Sequence, residues 1–85
     1  MNAIITPIIH SNGDRKETLV NNLHEAHRAV RAAKNALRAC APHARNYYLI
    51  PGLFDHAMRQ HMERTDHVYA VMQSLCDEAK AIQSA

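Results

Sequence analysis

The chain has 85 residues, enough for one domain, and a formal net charge of +2. Its scarce glycine and proline and its 47% hydrophobic residues exclude extensive disorder. The longest apolar run, residues 3–9, is far shorter than the roughly 20 residues of a transmembrane helix, and Pro7 interrupts it. We therefore expect no membrane span and no signal peptide, and a cytoplasmic protein whose Cys40 and Cys76 are reduced.

Residues 1–13 are predicted to form an N-terminal apolar arm. Pro7 blocks a helix interior, so the arm is expected to be extended. Its isoleucines flank this proline: Ile4, Ile5, Ile8 and Ile9. Since four isoleucines are too many to leave in water, we expect the arm to pack on the rest of the chain or on a partner.

Residues 14–85 are predicted to form a helical hairpin, with a first helix from about residue 14 to residue 40. Asp14 and Glu17 have the spacing of a capping box, and the residue before Pro42 is driven out of helical geometry. The apolar positions of this helix alternate by four and three residues, as in helices that wrap around each other. They are Leu19, Leu23, Ala26, Val30, Ala33, Leu37 and Cys40.

A connection over residues 41–50 leads to a second helix, predicted from about residue 51 to residue 82. Pro51 is well suited to its first turn. This helix has an apolar ladder of the same spacing: Phe54, Met58, His61, Thr65, Val68, Met72, Leu75, Ala79 and Ile82. Two ladders around one short break predict an all-α antiparallel hairpin, in a register that places Ala33 near His61 and Ala26 near Val68.

The apolar face of the second helix is wider than one partner helix can cover. Met62, Tyr69 and Cys76 form a second row, seven residues apart, beside the ladder that holds Met58 and Met72. We therefore expect a homodimer, a four-helix bundle, with these five residues at the dimer interface. In the alternative, the N-terminal arm covers this row.

Two polar residues, His61 and Thr65, occupy positions of the second ladder. One interpretation is a buried functional group, for example a general base. The other is control of register, because a polar core residue fixes the alignment of helices at some cost in stability. The second interpretation is favoured, because no other signature of catalysis accompanies these residues.

Seven histidines raise the question of a metal site. His24 and His27 are three residues apart, and the predicted register brings His67 near His27. A convincing zinc site needs three or four converging ligands, and no HExxH motif is present. The chain also lacks a phosphate-binding glycine loop, a nucleophile elbow and an evident pair of carboxylates. We therefore expect no metal, no cofactor and no enzymatic activity.

The first helix is basic and the second is mildly acidic, which favours antiparallel contact within or between chains. A basic stripe follows one face of the first helix: Arg28, Arg31, Lys34 and Arg38. A solvated face is its simplest interpretation. Phosphate contacts would make the chain a nucleic-acid-binding accessory protein. The sequence shows no helix-turn-helix and no aromatic residues interleaved with the stripe, so it gives no support for recognition of bases.

The connection holds the densest group of side chains typical of recognition surfaces. Arg45, Tyr47 and Tyr48 are of the residue types that dominate interface hot spots. We expect them to contact a partner protein, together with Arg31 and Arg38 on the basic helix. In the alternative, the tyrosines pack locally and cover the ends of the helices.

The segment Leu37–Tyr48 contains Ala41-Pro42, two further residues and then Arg45-Asn46-Tyr47. It resembles the segment that joins two long amphipathic helices in uncharacterised small helical-hairpin proteins of proteobacterial phages and prophages. The likeness extends in pattern over residues 14–82. The chain departs from it by continuing with Leu49-Ile50, where a more polar loop is common.

This resemblance implies a phage-encoded accessory protein in the host cytoplasm. Such proteins often bind a host protein and modulate, inhibit or redirect it. The resemblance carries over no catalytic residue, and the N-terminal arm is not part of it. An interaction protein is therefore the leading hypothesis, and the host partner is not identified by the sequence.

Overall fold

A computed structural model of the chain describes residues 3–9 and 15–84. Within them the protein is helical, and its two long helices pack against each other as a hairpin. This confirms the predicted all-α hairpin. No helix in the described part is long and apolar enough to cross a bilayer. The elements are α1 (Lys16–Leu37), 3₁₀ turns at Arg38–Cys40 and Ala44–Asn46, and α2 (Leu53–Ser84).

Helix α1 begins after Arg15, whose side chain makes no capping hydrogen bond. The predicted cap residue, Asp14, lies outside the described residues. The helix tightens into the 3₁₀ turn Arg38–Cys40 before Pro42, as expected from the restriction that a proline places on the preceding residue. Its C-terminal end at Leu37 is therefore close to the predicted one.

Helix α2 begins after a turn rather than at Pro51. Gly52 has a φ of +82°, a left-handed conformation that glycine adopts without steric cost. The Leu53 amide donates to the Ile50 carbonyl at 3.2 Å, and the His56 amide donates to the Gly52 carbonyl at 3.2 Å. Pro51 and Gly52 thus redirect the chain, and the first helical residue is Leu53.

The ladder of α2 is confirmed, since every one of its nine positions is buried or half-buried. The ladder of α1 is only half right. Leu19, Leu23, Val30 and Leu37 are half-buried, but the three small residues of the ladder are exposed: Ala26, Ala33 and Cys40. His27, Lys34 and Ala41 are half-buried in their place. The helix is rotated from the predicted orientation because the larger side chains of His27 and Lys34 cover more of α2 than alanine methyl groups can.

The predicted register of the hairpin is wrong. The Lys34 ammonium lies 5.8 Å from the centre of the Tyr69 ring, so α1 lies further along α2 than expected. At the same end, Val20 and Gln83 line one hollow. The connection covers the first turns of α2 instead, where the Tyr47 and Phe54 rings are 6.3 Å apart. Two 3₁₀ turns lengthen the connection, so a shorter part of α2 remains available for contact with α1.

The core lies at the end of the hairpin far from the connection. Among the described residues, the buried side chains are Val20, Met72, Ala79 and Ile82. In the arm, Ile4 is half-buried, whereas Ile5 and Ile8 are each 85% exposed. The molecule is a rod of 63 × 22 × 17 Å, so most of its residues lie at the surface.

Candidate functional site

Large apolar side chains are exposed together where the connection enters α2. Tyr48 is 78% exposed, Leu49 79% and Ile50 59%, and Leu53 follows at 38%. The turn that starts α2 uses its backbone groups in hydrogen bonds and leaves these side chains facing solvent. We call these four residues the tip patch. Contiguous exposed apolar surface of this kind is typical of binding sites.

The contact residues predicted in the connection differ in their exposure. Tyr48 belongs to the tip patch, and Arg45 is exposed in the 3₁₀ turn Ala44–Asn46. Tyr47 is half-buried, and its ring is tilted by 47° against Phe54. One tyrosine thus packs locally and fixes the connection to α2, while the other faces solvent.

An open groove of about 500 Å³ lies beside the tip patch along the first turns of α2. Tyr47 and Leu53 supply its apolar surface, and Glu63 and Arg59 supply charges of opposite sign. The groove also includes His56 and Gln60. An apolar floor between polar and charged side chains is the composition of a protein interface with its polar rim.

Sequence reasoning missed Leu49, Ile50 and Leu53. The available signal was the run Tyr48-Leu49-Ile50 directly before Pro51, which belongs to neither ladder. Apolar residues outside a ladder have no place in the helix–helix contact. They must therefore be covered by the connection itself or remain exposed.

The basic stripe of α1 is exposed to solvent. Arg28 pairs with Glu25 at 3.0 Å, and both side chains are largely exposed, so this pair adds little to stability. Arg31 and Arg38 are exposed on the same helix, with Arg38 in the 3₁₀ turn next to the connection. Arg38 is therefore near the start of the connection, and Arg31 lies about two helical turns before it.

The predicted dimer row divides into exposed and covered residues. Met62 is 58% exposed and Tyr69 57%, so residues 3–9, the described part of the arm, leave them open in the single chain. Met58 and Cys76 are half-buried, and Met72 is buried within the hairpin. A hollow of about 140 Å³ lies between α1 and this row, lined by His27, Tyr69, Met72, Gln73 and Cys76.

The histidines singled out for a metal site do not come together. His24 lines the hollow that contains Gln83, His27 lines the hollow beside Tyr69, and His67 is exposed. Within residues 3–9 and 15–84, no group of three or more histidine, cysteine, aspartate or glutamate side chains could hold a metal ion. Both thiols, Cys40 and Cys76, are free.

The two polar residues of the α2 ladder behave differently. The Thr65 hydroxyl donates to the His61 carbonyl at 2.9 Å, a bond within its own helix. The His61 side chain is half-buried, and its Nδ1 atom is shielded from solvent without a hydrogen-bond partner. Thr65 therefore does not pair with the imidazole, and His61 carries an unsatisfied polar atom in the helix contact.

Comparisons with known protein families, with curated proteins and with solved structures give no match to this chain. The likeness of Leu37–Tyr48 to phage hairpin proteins therefore stays a prediction. What the candidate site can do follows from its exposure, shape and charge.

Proposed function

We propose that the chain is a non-enzymatic interaction protein that binds another protein through the tip patch. The supporting observation is the exposure of Tyr48, Leu49 and Ile50, which are consecutive and are 78%, 79% and 59% exposed. Keeping such a cluster in water is unfavourable, and covering it with a partner removes apolar area from solvent. Tyr48 adds a residue type that is enriched at interface hot spots.

The groove beside the tip patch supplies the second part of the proposed interface. A partner segment anchored on Leu49 and Ile50 would run along the apolar floor at Tyr47 and Leu53. Arg45 and the charged groove residues would then form the polar rim. In this proposal Tyr47 acts mainly by holding the connection against α2.

The proposed biological role is that of a phage-encoded accessory protein in the host cytoplasm. The resemblance of the connection to phage hairpin proteins supports this role, and so does the small, narrow shape. The groove of about 500 Å³ beside the tip patch is open to solvent, unlike the enclosed sites typical of small-molecule chemistry. It would act by occupying a surface of a host protein and so modulating or inhibiting it.

We further propose that the protein acts as a homodimer. Met62 and Tyr69 remain more than half exposed in the single chain, although they lie beside the buried ladder of α2. A second hairpin would cover them in a four-helix bundle. The tip patch lies in the connection and at the first residue of α2, before Met62 and Tyr69. The dimer and the partner contact therefore use different surfaces.

The alternative is nucleic-acid binding by α1, and the exposure of Arg31 and Arg38 is compatible with it. It predicts binding that falls steeply with added salt and is lost in Arg31→Glu. The net charge of +2 and the pairing of Arg28 with Glu25 leave little electrostatic driving force for this function. Protein binding is therefore the better supported proposal.

Photo-crosslinking in living host cells tests the tip directly. A benzoylphenylalanine placed at Tyr48 is expected to form an adduct with one host protein on irradiation. The same residue placed at Asn22, an exposed position in the first half of α1 and far from the connection, is the matched control and is expected to form none. Absence of an adduct at position 48, or the same adducts at both positions, would contradict the proposal.

A further inference from the structure

The chain exposes more surface than a compact monomer of its mass. Its accessible surface is 6700 Å² for 9.6 kDa. The scaling of surface with mass gives about 5,100 Å² for a folded monomer of this size, an excess of about 1,600 Å². A protein–protein interface of standard size buries about 800 Å² on each partner. The excess over a compact monomer is thus about twice the area that one copy buries in a standard dimer, so the surface of the chain is sufficient for a dimer in addition to a tip contact.

One side of the hairpin concentrates large apolar side chains that the fold leaves open. Met62 and Tyr69 project from α2 on this side, and Lys34 of α1 lies over the Tyr69 ring. The hollow of about 140 Å³ beside His27 opens on the same side. We call it the Tyr69 face. The other side of α2 offers Val71, 43% exposed and about 160° around the helix from Tyr69.

Charge on the Tyr69 face differs between the two helices. Arg31 and Arg38 share a face of α1 with Lys34, because they are three and four residues away from it. On α2, Asp66 lies four residues from Met62 and three from Tyr69, whereas Arg59, three residues from Met62, lies beyond the end of α1 in the observed register. Contact of α1 with a second α1 would set basic side chains against each other. Contact of α1 with a second α2 would pair opposite charges.

We propose that two copies pack Tyr69 face against Tyr69 face around a two-fold axis parallel to the helices. In this arrangement α1 of each copy lies beside α2 of the other. A two-fold axis perpendicular to the helices would instead place α1 beside α1. The inference rests on the proposed homodimer and is independent of what binds the tip patch.

The observed register predicts a specific contact across this dimer. Lys34 is level with Tyr69, so Arg38, about one turn later on α1, is level with the preceding turn of α2, where Asp66 lies. A rotation about a parallel axis leaves heights unchanged, so Arg38 of one copy lies beside Asp66 of the other. Opposite charges at this position favour the arrangement and fix its axial alignment.

Sedimentation equilibrium tests the face and the contact. The natural chain is expected at twice the mass of one copy, and Met62→Glu with Tyr69→Glu is expected at the mass of one copy with helicity retained. Val71→Glu, on the other side, is the matched control and stays dimeric. Arg38→Asp and Asp66→Arg should each weaken the dimer about tenfold, because each sets like charges beside each other, and their combination should restore it. A monomeric natural chain, a dimeric double Glu variant or a failed restoration would overturn the proposal.

Spin-label distances test the direction of the axis. Two variants each carry one spin label, at Arg59→Cys or at Lys80→Cys. The natural cysteines are removed in both by Cys40→Ser and Cys76→Ser. The two label positions are exposed and about 31 Å apart along α2. With a parallel axis, both distances between copies stay below about 25 Å. With a perpendicular axis, at least one exceeds about 30 Å. A dimer with one long distance would overturn the arrangement while leaving the homodimer and the tip interface intact.

Discussion

At the scale of single residues, His61 holds a side-chain nitrogen that the contact between the helices leaves without a partner. Its Nδ1 is shielded from solvent and makes no hydrogen bond, although the position belongs to the apolar ladder of α2. An unsatisfied buried polar group costs about 1–3 kcal/mol. Control of register by His61, which would trade stability for a single alignment of the helices, stays a prediction.

Replacing this imidazole should therefore stabilise the fold. His61→Leu is expected to raise the free energy of unfolding by about 1 kcal/mol, because it removes the unpaired nitrogen and keeps the volume. Urea unfolding at one fixed protein concentration measures the change. Thr65→Val is the control and should change stability by less than about 0.5 kcal/mol, because the hydroxyl bonds only to its own helix. A destabilised His61→Leu would mean that the imidazole has a partner after all.

Ile82 and Ile5 are the same residue type in opposite environments, 1% and 85% exposed. Ile82→Ala is expected to cost about 2–5 kcal/mol, because it removes buried area and leaves a cavity in the small core. Ile5→Ala should cost less than about 0.5 kcal/mol. Thermal or chemical unfolding distinguishes the two. Equal losses would show that the arm is part of the core.

At the scale of elements, the start of α2 depends on one backbone conformation. A Cβ atom added at Gly52 would meet no heavy atom within 4 Å, so only the φ of +82° opposes a larger residue. Gly52→Ala is expected to cost about 1–2 kcal/mol. Gly52→Asn should cost less, because asparagine tolerates the left-handed region. Equal costs for both variants, measured by unfolding, would place the constraint elsewhere.

The two helices differ in how far their sequence predicts their packing. Large side chains such as Met72 and Ile82 mark the ladder of α2 without ambiguity, and it is buried as predicted. In α1, alanines lie on several faces, so the three–four spacing alone did not distinguish Ala33 from the long side chain of Lys34. In such a case the side chain that can bury more apolar area occupies the contact between the helices.

The register and the tip patch could not be predicted for a different reason. Both depend on the path of the connection, which no periodicity describes. Two 3₁₀ turns and the packing of Tyr47 on Phe54 make the connection cover the first turns of α2. Leu49 and Ile50 are consequently left outside the contact between the helices, where their exposure makes them the candidate site.

At the scale of the whole molecule, a rod 63 Å long and 17 Å thin is nearly all surface, and its two helices and their connection expose apolar side chains at two candidate binding surfaces. The tip patch lies at the connection, and the Tyr69 face lies along the helices. A protein can therefore pair with a second copy along its length and still present a tip to another partner. Two tips per dimer would also let it hold two partner molecules.

Substitutions in the tip patch should separate binding from folding. Leu49→Ser with Ile50→Ser is expected to change the free energy of unfolding by less than about 1 kcal/mol, because both side chains are exposed. Helicity by circular dichroism and dimer mass should be those of the natural chain. A large loss of stability would mean that the tip patch supports the fold rather than binding a partner.

The most direct measurement is quantitative capture from a host lysate with the natural chain and the Leu49→Ser, Ile50→Ser variant. Nuclease treatment and two salt concentrations separate protein partners from nucleic acid. The Met62→Glu, Tyr69→Glu chain serves as a control for nonspecific apolar binding. We predict one stoichiometric protein that survives nuclease and high salt, binds the natural chain and the control, and is lost from the tip variant. Capture unaffected by the tip substitutions, or recovery of nucleic acid alone at low salt, would contradict the proposed function.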